Sequence, residues 1–512
     1  MREGGGGGHA RTAALVRSCA IAAAKKGKRV AVVDAEADIG GVCVHTGTIP
    51  SKTFREAILH LTGYRNQSFY TGSSLARKTV TVKDIVNRVK AVIDKEHAIV
   101  SSQLLRNHID IIPGHASFVD SNTVAIGKPW SHLPDRRARL NAMEGFSVTS
   151  DEKRRVTADK FLLSVGTRPA RPGHIPFEAK QVFDSDEMLI DDWVIPRTLI
   201  VVGAGVIGME YASMMNIIPG SRVYVVDQRP TQILPFADTE MVEALCHLMR
   251  QQGARFLLGE TVSSCDVTVR SDGRETVTVE LASGKVLFGD ALLYAVGRQA
   301  NTDSLNLSAI GLETDKRGLI SVDDKFMTSV GHVYAAGDCI GFPALASVSG
   351  QQGRLVADYM FDDITDRVET QGDFPYGIYT VPELSFIGMS ERELTAAQIP
   401  VEVGLASYAE LAKSAMIGGS YGLLKLLFCP HTFRLLGASA IGEGATEIIH
   451  VAQTAMALNG TIDLFLTQVF NYPSYSEAFR VAALNGLGRV ARGIGHQEVR
   501  RRIEHNRAAH AH

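Results

Sequence analysis

Residues 198–208 read TLIVVGAGVIG, and they give a strong indication of the fold. A continuous apolar run at its start predicts a buried strand, and a G-x-G-x-x-G pattern follows at once. A helix-compatible run at 209–215 comes next, and a second apolar run ends at Asp227. A strand, a glycine turn, a helix and a terminal acid in this order predict a dinucleotide-binding βαβ unit.

Each residue of this unit has a predicted task. Gly203 permits the tight turn, Gly205 lets a pyrophosphate approach the backbone, and Gly208 lets the helix pack on the strand. The anion then lies at the helix N-terminus, where free N–H groups point at it. Asp227 is placed to accept from an adenosine ribose, which favours NAD, whereas Arg229 can pair with a 2′-phosphate, which favours NADP. A site for both cofactors fits the pair, and a glycine turn without a ligand is the competing interpretation.

Composition and charge exclude several classes of protein. The chain has 512 residues, which suggests roughly three or four domains. Its net charge of −2 gives no attraction to nucleic acid or to a membrane surface, so neither partner is expected. Six scattered cysteines lack metal-ligand spacing, which predicts no metal site and a reducing compartment. Without a signal peptide or a spanning apolar run, a cytoplasmic enzyme or binding protein is expected.

Apolar runs and helical patterns alternate through the first two-thirds of the chain. The run at 29–34 predicts a buried strand that ends in Asp34, and the run at 222–227 predicts another. Continuous apolar strands separated by helices predict parallel sheets that are covered on both faces. Residues 68–100 are helix-compatible, and short alternating runs at 109–156 predict antiparallel strands.

Three further segments complete this organisation. Residues 128–145 are basic and contain loop formers, so they predict an exposed loop. A strand-like run at 423–428 and an amphipathic helix candidate at 445–458 predict an α+β domain in the last third. The basic tail at 493–512 shows no apolar periodicity and is expected to be disordered.

Residues 40–52 read GGVCVHTGTIPSK, which resembles the redox-disulfide segment of the flavoprotein disulfide reductases with one change. Those enzymes carry a second cysteine five residues after the one that matches Cys43, and Thr48 takes its place here. A single cysteine cannot close a disulfide within the segment. Lys52 matches the family lysine beside flavin N5, and Glu210 matches the acid that pairs with it. An ammonium at that place favours hydride arrival by stabilising negative charge on the reduced ring.

Three shorter motifs resemble flavin-binding segments of the same family. Residues 164–169, 295–301 and 332–338 resemble its turn leaving the flavin domain, its turn returning to that domain and its second flavin motif. The resemblance implies an FAD site, in which Asp34 meets the adenosine ribose and Asp338 hydrogen-bonds the ribityl chain. The other residues that it assigns to cofactor binding are Gly41, Cys43, Thr48, Lys52, Gly166, Glu210, Gly297, Arg298 and Gly337.

Within this family the chain resembles the soluble pyridine nucleotide transhydrogenases. Their segment also lacks the second cysteine, and residues 470–485, FNYPSYSEAFRVAALN, resemble their C-terminus. Tyr472 takes the place of the histidine that, in the disulfide reductases, serves the partner subunit's thiol as acid and base. Glu477, which orients that histidine, remains, and a structural role is expected for it. The two losses agree chemically, because a thiol base has no task without a dithiol.

The resemblance implies an α/β fold of two Rossmann-like three-layer domains, which bind FAD and NAD(P), and a C-terminal α+β dimerisation domain. It places the FAD-binding domain at 1–168 and 293–368, the NAD(P)-binding domain at 169–292, the dimerisation domain at 369–490 and a disordered tail at 491–512. It implies a homodimer or higher homo-oligomer. The implied reaction moves hydride between NADPH and NAD⁺ by ping-pong chemistry through flavin N5, with nicotinamide dinucleotides as substrates and the physiological direction left open.

The first twelve residues, MREGGGGGHART, depart from the family pattern. The family begins with a strand and a glycine fingerprint for the FAD pyrophosphate, whereas no apolar run precedes these glycines. Five glycines without apolar neighbours predict flexible chain. The central strand of the first sheet and its pyrophosphate cradle are therefore expected to be missing, and a locally altered reading frame is one explanation.

Other functions stay open on the residues alone. If the same site uses another hydride acceptor, the protein is a diaphorase-like or quinone-reducing flavoenzyme. If the altered N-terminus prevents flavin binding, it is an inactive paralogue that binds nucleotide without flavin. A dithiol reductase is disfavoured by Thr48 and Tyr472 together. Cys43 is expected to be a small buried residue, with a reactive thiolate as the alternative.

Overall fold

The computed structural model describes residues 6–10, 13–36, 38–66, 81–129, 154–189, 193–269, 273, 275–362, 374–418 and 421–510, with the backbone alone at 6–10, 13 and 505–510. From residue 130 onward, the predicted exposed loop lies outside the described residues. The first part of the predicted helical segment, up to residue 80, also lies outside them.

Strands occur in every part of the described chain. In chain order they are β1 (Gly6–Ala10), β2 (Val30–Asp34), β3 (Asp110–Pro113), β4 (His115–Asp120), β5 (Thr123–Gly127), β6 (Arg154–Thr157), β7 (Phe161–Ser164), β8 (Thr167–Pro169), β9 (Val182–Asp184), β10 (Thr198–Val202), β11 (Arg222–Asp227), β12 (Arg255–Leu258), β13 (Val262–Val269), β14 (Glu275–Leu281), β15 (Val286–Gly289), β16 (Ala291–Tyr294), β17 (Arg298–Ala300), β18 (Val333–Ala335), β19 (Tyr376–Ile378), β20 (Leu384–Gly388), β21 (Glu402–Ser407), β22 (Leu423–Phe428) and β23 (Leu435–Ile441).

Helices lie between some of these strands and follow the last one. They are α1 (Ala13–Lys25), α2 (Gly41–His45), α3 (Thr48–Leu61), α4 (Val82–Leu105), α5 (Val206–Asn216), α6 (Thr239–Gln251), α7 (Ala346–Phe361), α8 (Glu391–Ala396), α9 (Ala412–Ile417), α10 (Ala445–Ala457), α11 (Leu464–Thr467), α12 (Glu477–Ile494) and α13 (His496–His510). Among the described helices, none combines the length and the apolar character that crossing a membrane requires.

The first sheet is parallel, with strand order β18-β7-β1-β2-β3. The glycine-rich β1 lies at its centre, where Gly8 pairs with Val32 on one side and with Leu162 on the other. The prediction that this strand is missing is therefore wrong. Ladder hydrogen bonds use backbone groups alone, so two flanking strands can hold glycines, although each glycine costs ~0.5–1 kcal/mol relative to alanine.

The second sheet is also parallel, with strand order β12-β11-β10-β16-β9. Its central strand is β10, which is the apolar run that precedes the glycine turn, and the predicted helix after the turn is α5. Strand β11 ends at Asp227, as predicted. Leu199, Ile200 and Val201 are almost completely buried, because strands cover both edges of β10 and side chains pack on both faces.

The third large sheet is antiparallel, with strand order β19-β20-β23-β22-β21. Strand β22 and helix α10 match the predicted strand and amphipathic helix, which confirms an α+β unit in the last third. Helices α10 and α12 pack on this sheet. Strands β4, β5 and β6 form a small antiparallel sheet, as predicted, whereas β3 joins the first parallel sheet.

The C-terminal tail is helical, so the predicted disorder is wrong for its described part. The predicted domain boundary at 490 falls inside α12, and α13 follows directly. Val499 is buried in the apolar core of the third sheet, and Ile503 packs beside it. Val499 and Ile503 are four residues apart and share one face of the helix, but two apolar residues are too few to predict a helix from the sequence.

Each large sheet with the helices beside it forms one part of the molecule, and the three parts meet at one apolar cluster. It includes Phe54 from α3, Ile85 from α4, Met209 from α5, and Ile378 and Leu384 from the third sheet. Segments from all three parts of the molecule therefore end close to one another, and the candidate site lies where they meet.

Helix α7 packs on α1 through two glycines that have different surroundings. A Cβ at Gly353 would lie 2.4 Å from the Leu15 carbonyl oxygen, whereas a Cβ at Gly350 would lie 3.7 Å from Ser18 Oγ, its nearest described neighbour. We expect Gly353→Ala to lower the free energy of unfolding by ~1–3 kcal/mol, because the helices must separate. The matched control Gly350→Ala is expected to be neutral or to stabilise by up to ~1 kcal/mol. Chemical denaturation measures both, and equal stabilities would contradict this packing.

Candidate active site

An ion pair between Lys52 and Glu210 forms the centre of the candidate site. Lys52 lies near the start of α3, and Glu210 lies near the start of α5, just after the glycine turn. Lys52 Nζ is 2.6 Å from Glu210 Oε2, and the two side chains are 27% and 4% exposed. The structure therefore joins the two residues that the resemblance pairs. A buried carboxylate needs such a partner, because an unpaired one is costly to remove from water.

Tyr379, which follows β19, completes this centre. Its backbone N–H donates to Glu210 Oε1 at 2.9 Å. Lys52 Nζ lies 4.9 Å from the centre of the Tyr379 ring and donates to Ser51 Oγ at 3.3 Å. The carboxylate of Glu210 therefore links a helix of the first part, a helix of the second and a strand end of the third.

A cavity of about 600 Å³ opens beside the ion pair. This volume lies within the range of small-molecule sites, ~300–1,000 Å³. Seven of the predicted site residues line it, namely Thr48, Lys52, Gly205, Glu210, Gly297, Arg298 and Asp338. The structure thus brings the predicted nucleotide turn and the predicted flavin motifs to one cavity.

The remaining predicted residues do not line this cavity: Asp34, Gly41, Cys43, Gly166, Gly203, Gly208, Asp227, Arg229 and Gly337. Sequence reasoning missed several side chains that do, namely Asp186, Tyr211, Tyr294, Tyr376, Tyr379 and His450. None of these six was part of a predicted functional motif, and only the folded arrangement brings them together.

The three glycines of the turn have surroundings that fit their predicted tasks. Gly203 has a φ of +99°, and a Cβ there would lie 2.7 Å from the Ala295 carbonyl oxygen. A Cβ on Gly208 would lie 1.9 Å from the Gly203 carbonyl oxygen, so the helix could not start where it does. Among the described atoms, nothing lies within 4 Å of a Cβ built on Gly205, which leaves space for a pyrophosphate.

Asp227 fixes the glycine turn through backbone groups. Its Oδ2 accepts from Ala204 N–H at 2.7 Å, and its Oδ1 accepts from Arg229 N–H at 2.9 Å. Arg229 Nη1 lies 3.3 Å from Oδ1 and 3.2 Å from Oδ2. The Arg229 side chain is 43% exposed and the Asp227 side chain 5%, so the guanidinium reaches solvent while the carboxylate does not.

Asp338 and Arg298 bring the predicted flavin motifs to the cavity. Burial raises the pKa of the Asp338 carboxyl, and the nearby Arg298 guanidinium opposes that rise. Arg298 Nε donates to Thr167 Oγ1 at 2.7 Å, and Nη2 donates to the Thr167 carbonyl oxygen at 2.8 Å. These bonds join the segment that leaves the first domain to the one that returns, and strands β8 and β17 of the two segments pair with each other.

The segment that resembles a redox disulfide holds a protonated thiol. Cys43 lies in α2, Thr48 begins α3, and the Thr48 side chain hydrogen-bonds with the thiol. Burial raises the pKa of Cys43 by more than this contact lowers it. A raised pKa disfavours the reactive-thiolate alternative. Cys43 is only half-buried, which corrects the expectation that it is a buried residue.

Tyr472 does not line the cavity within one chain, and the residue is 74% exposed. Glu477 Oε2 accepts from Ser474 N–H at 3.4 Å. This contact is confined to the turn before α12, which agrees with the structural role expected for Glu477.

A glycine turn and an ion-paired lysine on one cavity, between two parallel-sheet units and an α+β unit, define a nucleotide-dependent oxidoreductase. Residues 6–353 match the family model described as pyridine nucleotide-disulphide oxidoreductase, and residues 374–483 match its dimerisation domain. The chain belongs to the pyridine nucleotide-disulphide oxidoreductase family.

Relatives named soluble pyridine nucleotide transhydrogenase resemble it over nearly their full length. The relative from Mycobacterium tuberculosis is 44% identical over 475 residues, which cover 93% of this chain and 95% of the relative. Those from Aliivibrio fischeri and Colwellia psychrerythraea are 40% and 39% identical, covering 92% and 91% of this chain and 94% of each relative.

Solved structures show the same fold at lower identity. The crystal structure of LpdA from Mycobacterium tuberculosis aligns with a TM-score of 0.80 at 23% identity, covering 94% of this chain and 99% of that one. The HOCl-induced flavoprotein disulfide reductase RclA from Escherichia coli aligns with a TM-score of 0.78 at 23% identity, covering 93% and 99%. These likenesses confirm the predicted fold class.

Two substitutions in the glycine turn separate binding from folding. Gly205→Ala is expected to leave the thermal midpoint unchanged, since its Cβ meets open space. It is expected to weaken NAD⁺ binding by roughly tenfold or more, because a lost hydrogen bond to a charged group costs ~1.5–3 kcal/mol. Gly208→Ala is expected to lower the thermal midpoint instead, because its Cβ meets backbone. Calorimetry and nucleotide titration test both, and a stable Gly208→Ala variant would contradict the turn geometry.

Proposed function

We propose that this chain is an FAD-dependent transhydrogenase that moves hydride from NADPH to NAD⁺, giving NADP⁺ and NADH. One observation carries the proposal: the nucleotide turn, Lys52 and Asp338 share a cavity, and Thr48 stands where a second cysteine would complete a dithiol. The relatives at 39–44% identity, all named soluble pyridine nucleotide transhydrogenase, support it.

The residues around the cavity fit FAD. The volume of about 600 Å³ and the open space around Gly297 leave room for a ring system, and the buried Asp338 offers an acceptor for ribityl hydroxyls. In the first sheet, strand β1 leads to helix α1, and a pyrophosphate binds favourably at the N-terminus of a helix. The chain keeps this strand and helix although it lacks the glycine fingerprint.

Bound FAD supplies the hydride acceptor and donor that link the two nucleotides. The chain itself binds and orients each nucleotide at the glycine turn. Lys52 holds a positive charge at the cavity wall, where it stabilises the negative charge that develops on reduction. Glu210 keeps this charge in place. We also propose that the other predicted site residues bind the cofactors and that the domain boundaries lie at 168, 292 and 368.

One glycine turn serves both nucleotides in succession. Asp227 accepts from two backbone N–H groups, so it stays hydrogen-bonded when the Arg229 guanidinium turns away from it. The exposed guanidinium can then pair with the 2′-phosphate of NADPH. With NAD⁺, which has no such phosphate, Arg229 remains beside Asp227, and the ribose hydroxyl donates to the same carboxylate.

The proposal includes a homodimer in the cytoplasm. Val469 and Tyr472, in the part that matches the dimerisation domain, are 91% and 74% exposed. Large exposed apolar groups favour burial against a second copy. The partner's surface would then cover the 469–472 segment.

Hydride transfer from NADPH to an NAD⁺ analogue tests the proposed reaction. The purified protein is expected to absorb near ~450 nm and to reduce the analogue with parallel double-reciprocal plots, which indicate ping-pong kinetics. A colourless protein that binds nucleotide would support the inactive paralogue. A coloured protein that reduces quinones or oxygen but not the analogue would support the diaphorase-like enzyme.

Replacing Arg229 tests the nucleotide assignment. Arg229→Leu is expected to raise the KM for NADPH by roughly 10- to 100-fold, because a charged hydrogen bond is worth ~1.5–3 kcal/mol. The KM for NADH is expected to change little. Arg222→Leu, at the opposite end of β11, removes the same charge as a matched control. Steady-state kinetics with each reduced nucleotide measures both KM values. An equal rise in both would contradict the assignment of Arg229 to the 2′-phosphate.

Restoring the second cysteine tests the loss of the sulfur relay. Thr48→Cys alone is expected to show no NADPH-dependent reduction of lipoamide, because Tyr472 leaves the dithiol without the imidazole that serves it as acid and base in the disulfide reductases. The double variant Thr48→Cys/Tyr472→His is the comparison, and it is expected to gain more of this activity. A single variant as active as the double variant would show that the two losses are independent.

A further inference from the structure

We propose that Tyr379 is a positioning residue for this reaction, because its ring fixes the direction of the Lys52 ammonium. The proposal rests on the proposed function and adds a residue to it. Tyr379 and Lys52 line the same cavity, and Lys52 Nζ lies over the Tyr379 ring, 4.9 Å from its centre. At this distance a ring face attracts an ammonium.

One carboxylate fixes the positions of the ring and the ammonium relative to each other. Glu210 accepts from Lys52 Nζ at 2.6 Å with Oε2 and from Tyr379 N–H at 2.9 Å with Oε1. With only 4% of its side chain exposed, Glu210 lies in surroundings that leave it little freedom to turn. A displacement of Tyr379 would therefore be transmitted to Lys52 both through the ring and through the shared carboxylate.

The ring adds attraction to Lys52 without using one of its donors. An ammonium has three N–H donors. Within the described ranges, the acceptors bonded to Lys52 Nζ are Glu210 Oε2 and Ser51 Oγ. A ring face attracts the cation without accepting a directed hydrogen bond of the same strength. The third N–H of Lys52 is therefore left to donate into the cavity, where negative charge develops during reduction.

Neighbouring residues hold the ring in place. A Cβ on Gly377 would lie 3.3 Å from Tyr379 Cε2 and 3.1 Å from Thr446 Cγ2, so a side chain at 377 would crowd the ring and Thr446 by a few tenths of an ångström. The Tyr379 hydroxyl hydrogen-bonds with Thr446, and burial raises the pKa of Tyr379, so the phenol is neutral at pH 7.

The two residues after Tyr379 attach to the helices that carry the ion pair. Arg55 Nε, on α3, donates to the Thr380 carbonyl oxygen at 3.0 Å. Val381 N–H donates to Ser213 Oγ, on α5, at 3.0 Å. The segment is thus fastened to the helix of Lys52 and to the helix of Glu210, and the third part of the molecule sets the place of the ring.

The flavin midpoint potential of the holoenzyme, measured without nucleotide, tests the inference. Tyr379→Leu is expected to shift the equilibrium between oxidised and two-electron-reduced protein toward the oxidised form by roughly 2- to 30-fold, which is ~10–40 mV more negative. Tyr379→Phe keeps the ring and is expected to keep the potential. Gly377→Ala displaces the ring without replacing it and is expected to shift the potential in the same direction as Tyr379→Leu.

Tyr421→Leu is the matched control. Tyr421 OH donates to the Ala244 carbonyl oxygen at 2.9 Å across the boundary between the third and second parts, and Tyr421 does not line the cavity. It is expected to keep the potential of the unsubstituted protein.

Three results would overturn the inference: an unchanged potential in both Tyr379→Leu and Gly377→Ala, a Tyr379→Phe variant that shifts as far as Tyr379→Leu, or a Tyr421→Leu variant that does so. If Tyr379→Leu does not fold, Gly377→Ala decides alone. Failure of the proposed function can be distinguished from these results. In that case the unsubstituted protein would bind no flavin or would transfer no hydride from NADPH to the NAD⁺ analogue.

Discussion

The arrangement of the candidate site depends on the carboxylate of Glu210. It is nearly inaccessible to water, and each of its oxygens has a partner from a different part of the chain, Lys52 on one side and Tyr379 N–H on the other. Leaving either oxygen unpaired would cost free energy, so the three parts are held in one arrangement. Glu210 also lies on α5 two residues after Gly208. One helix therefore fixes both the nucleotide turn and the charge that faces the cavity.

This arrangement fits the proposed reaction, which needs no sulfur chemistry. In a dithiol enzyme the segment at 43–48 must carry electrons onward, and a base must serve the thiol. Here Thr48 contacts the Cys43 thiol through a hydrogen bond, and burial keeps that thiol protonated. Tyr472, where the base would stand, is exposed on the third part. What the segment still contributes is Lys52, one turn into α3, and its task needs position and charge alone.

The parts of the fold that follow from local physics were predictable. The run at 198–208 carries its strand, turn and helix in its own periodicity and glycine spacing, and the structure has all three. The strand Gly6–Ala10 was not predictable, because its side chains give no apolar signal and only the neighbouring strands supply its hydrogen bonds. The contact of Tyr379 with Lys52 joins residues more than three hundred positions apart, and no pattern in the sequence reports it.

The glycine strand also links stability to the cofactor. Three glycines in β1 cost ~0.5–1 kcal/mol each relative to alanine, so the centre of the first sheet is weaker by ~1.5–3 kcal/mol than one with alanine at these positions. A ligand that binds only the folded state, present at a thousand times its dissociation constant, stabilises that state by ~4.1 kcal/mol. Bound FAD would therefore offset the whole deficit. A chain with this N-terminus would gain stability in its first sheet, as well as chemistry, from the cofactor.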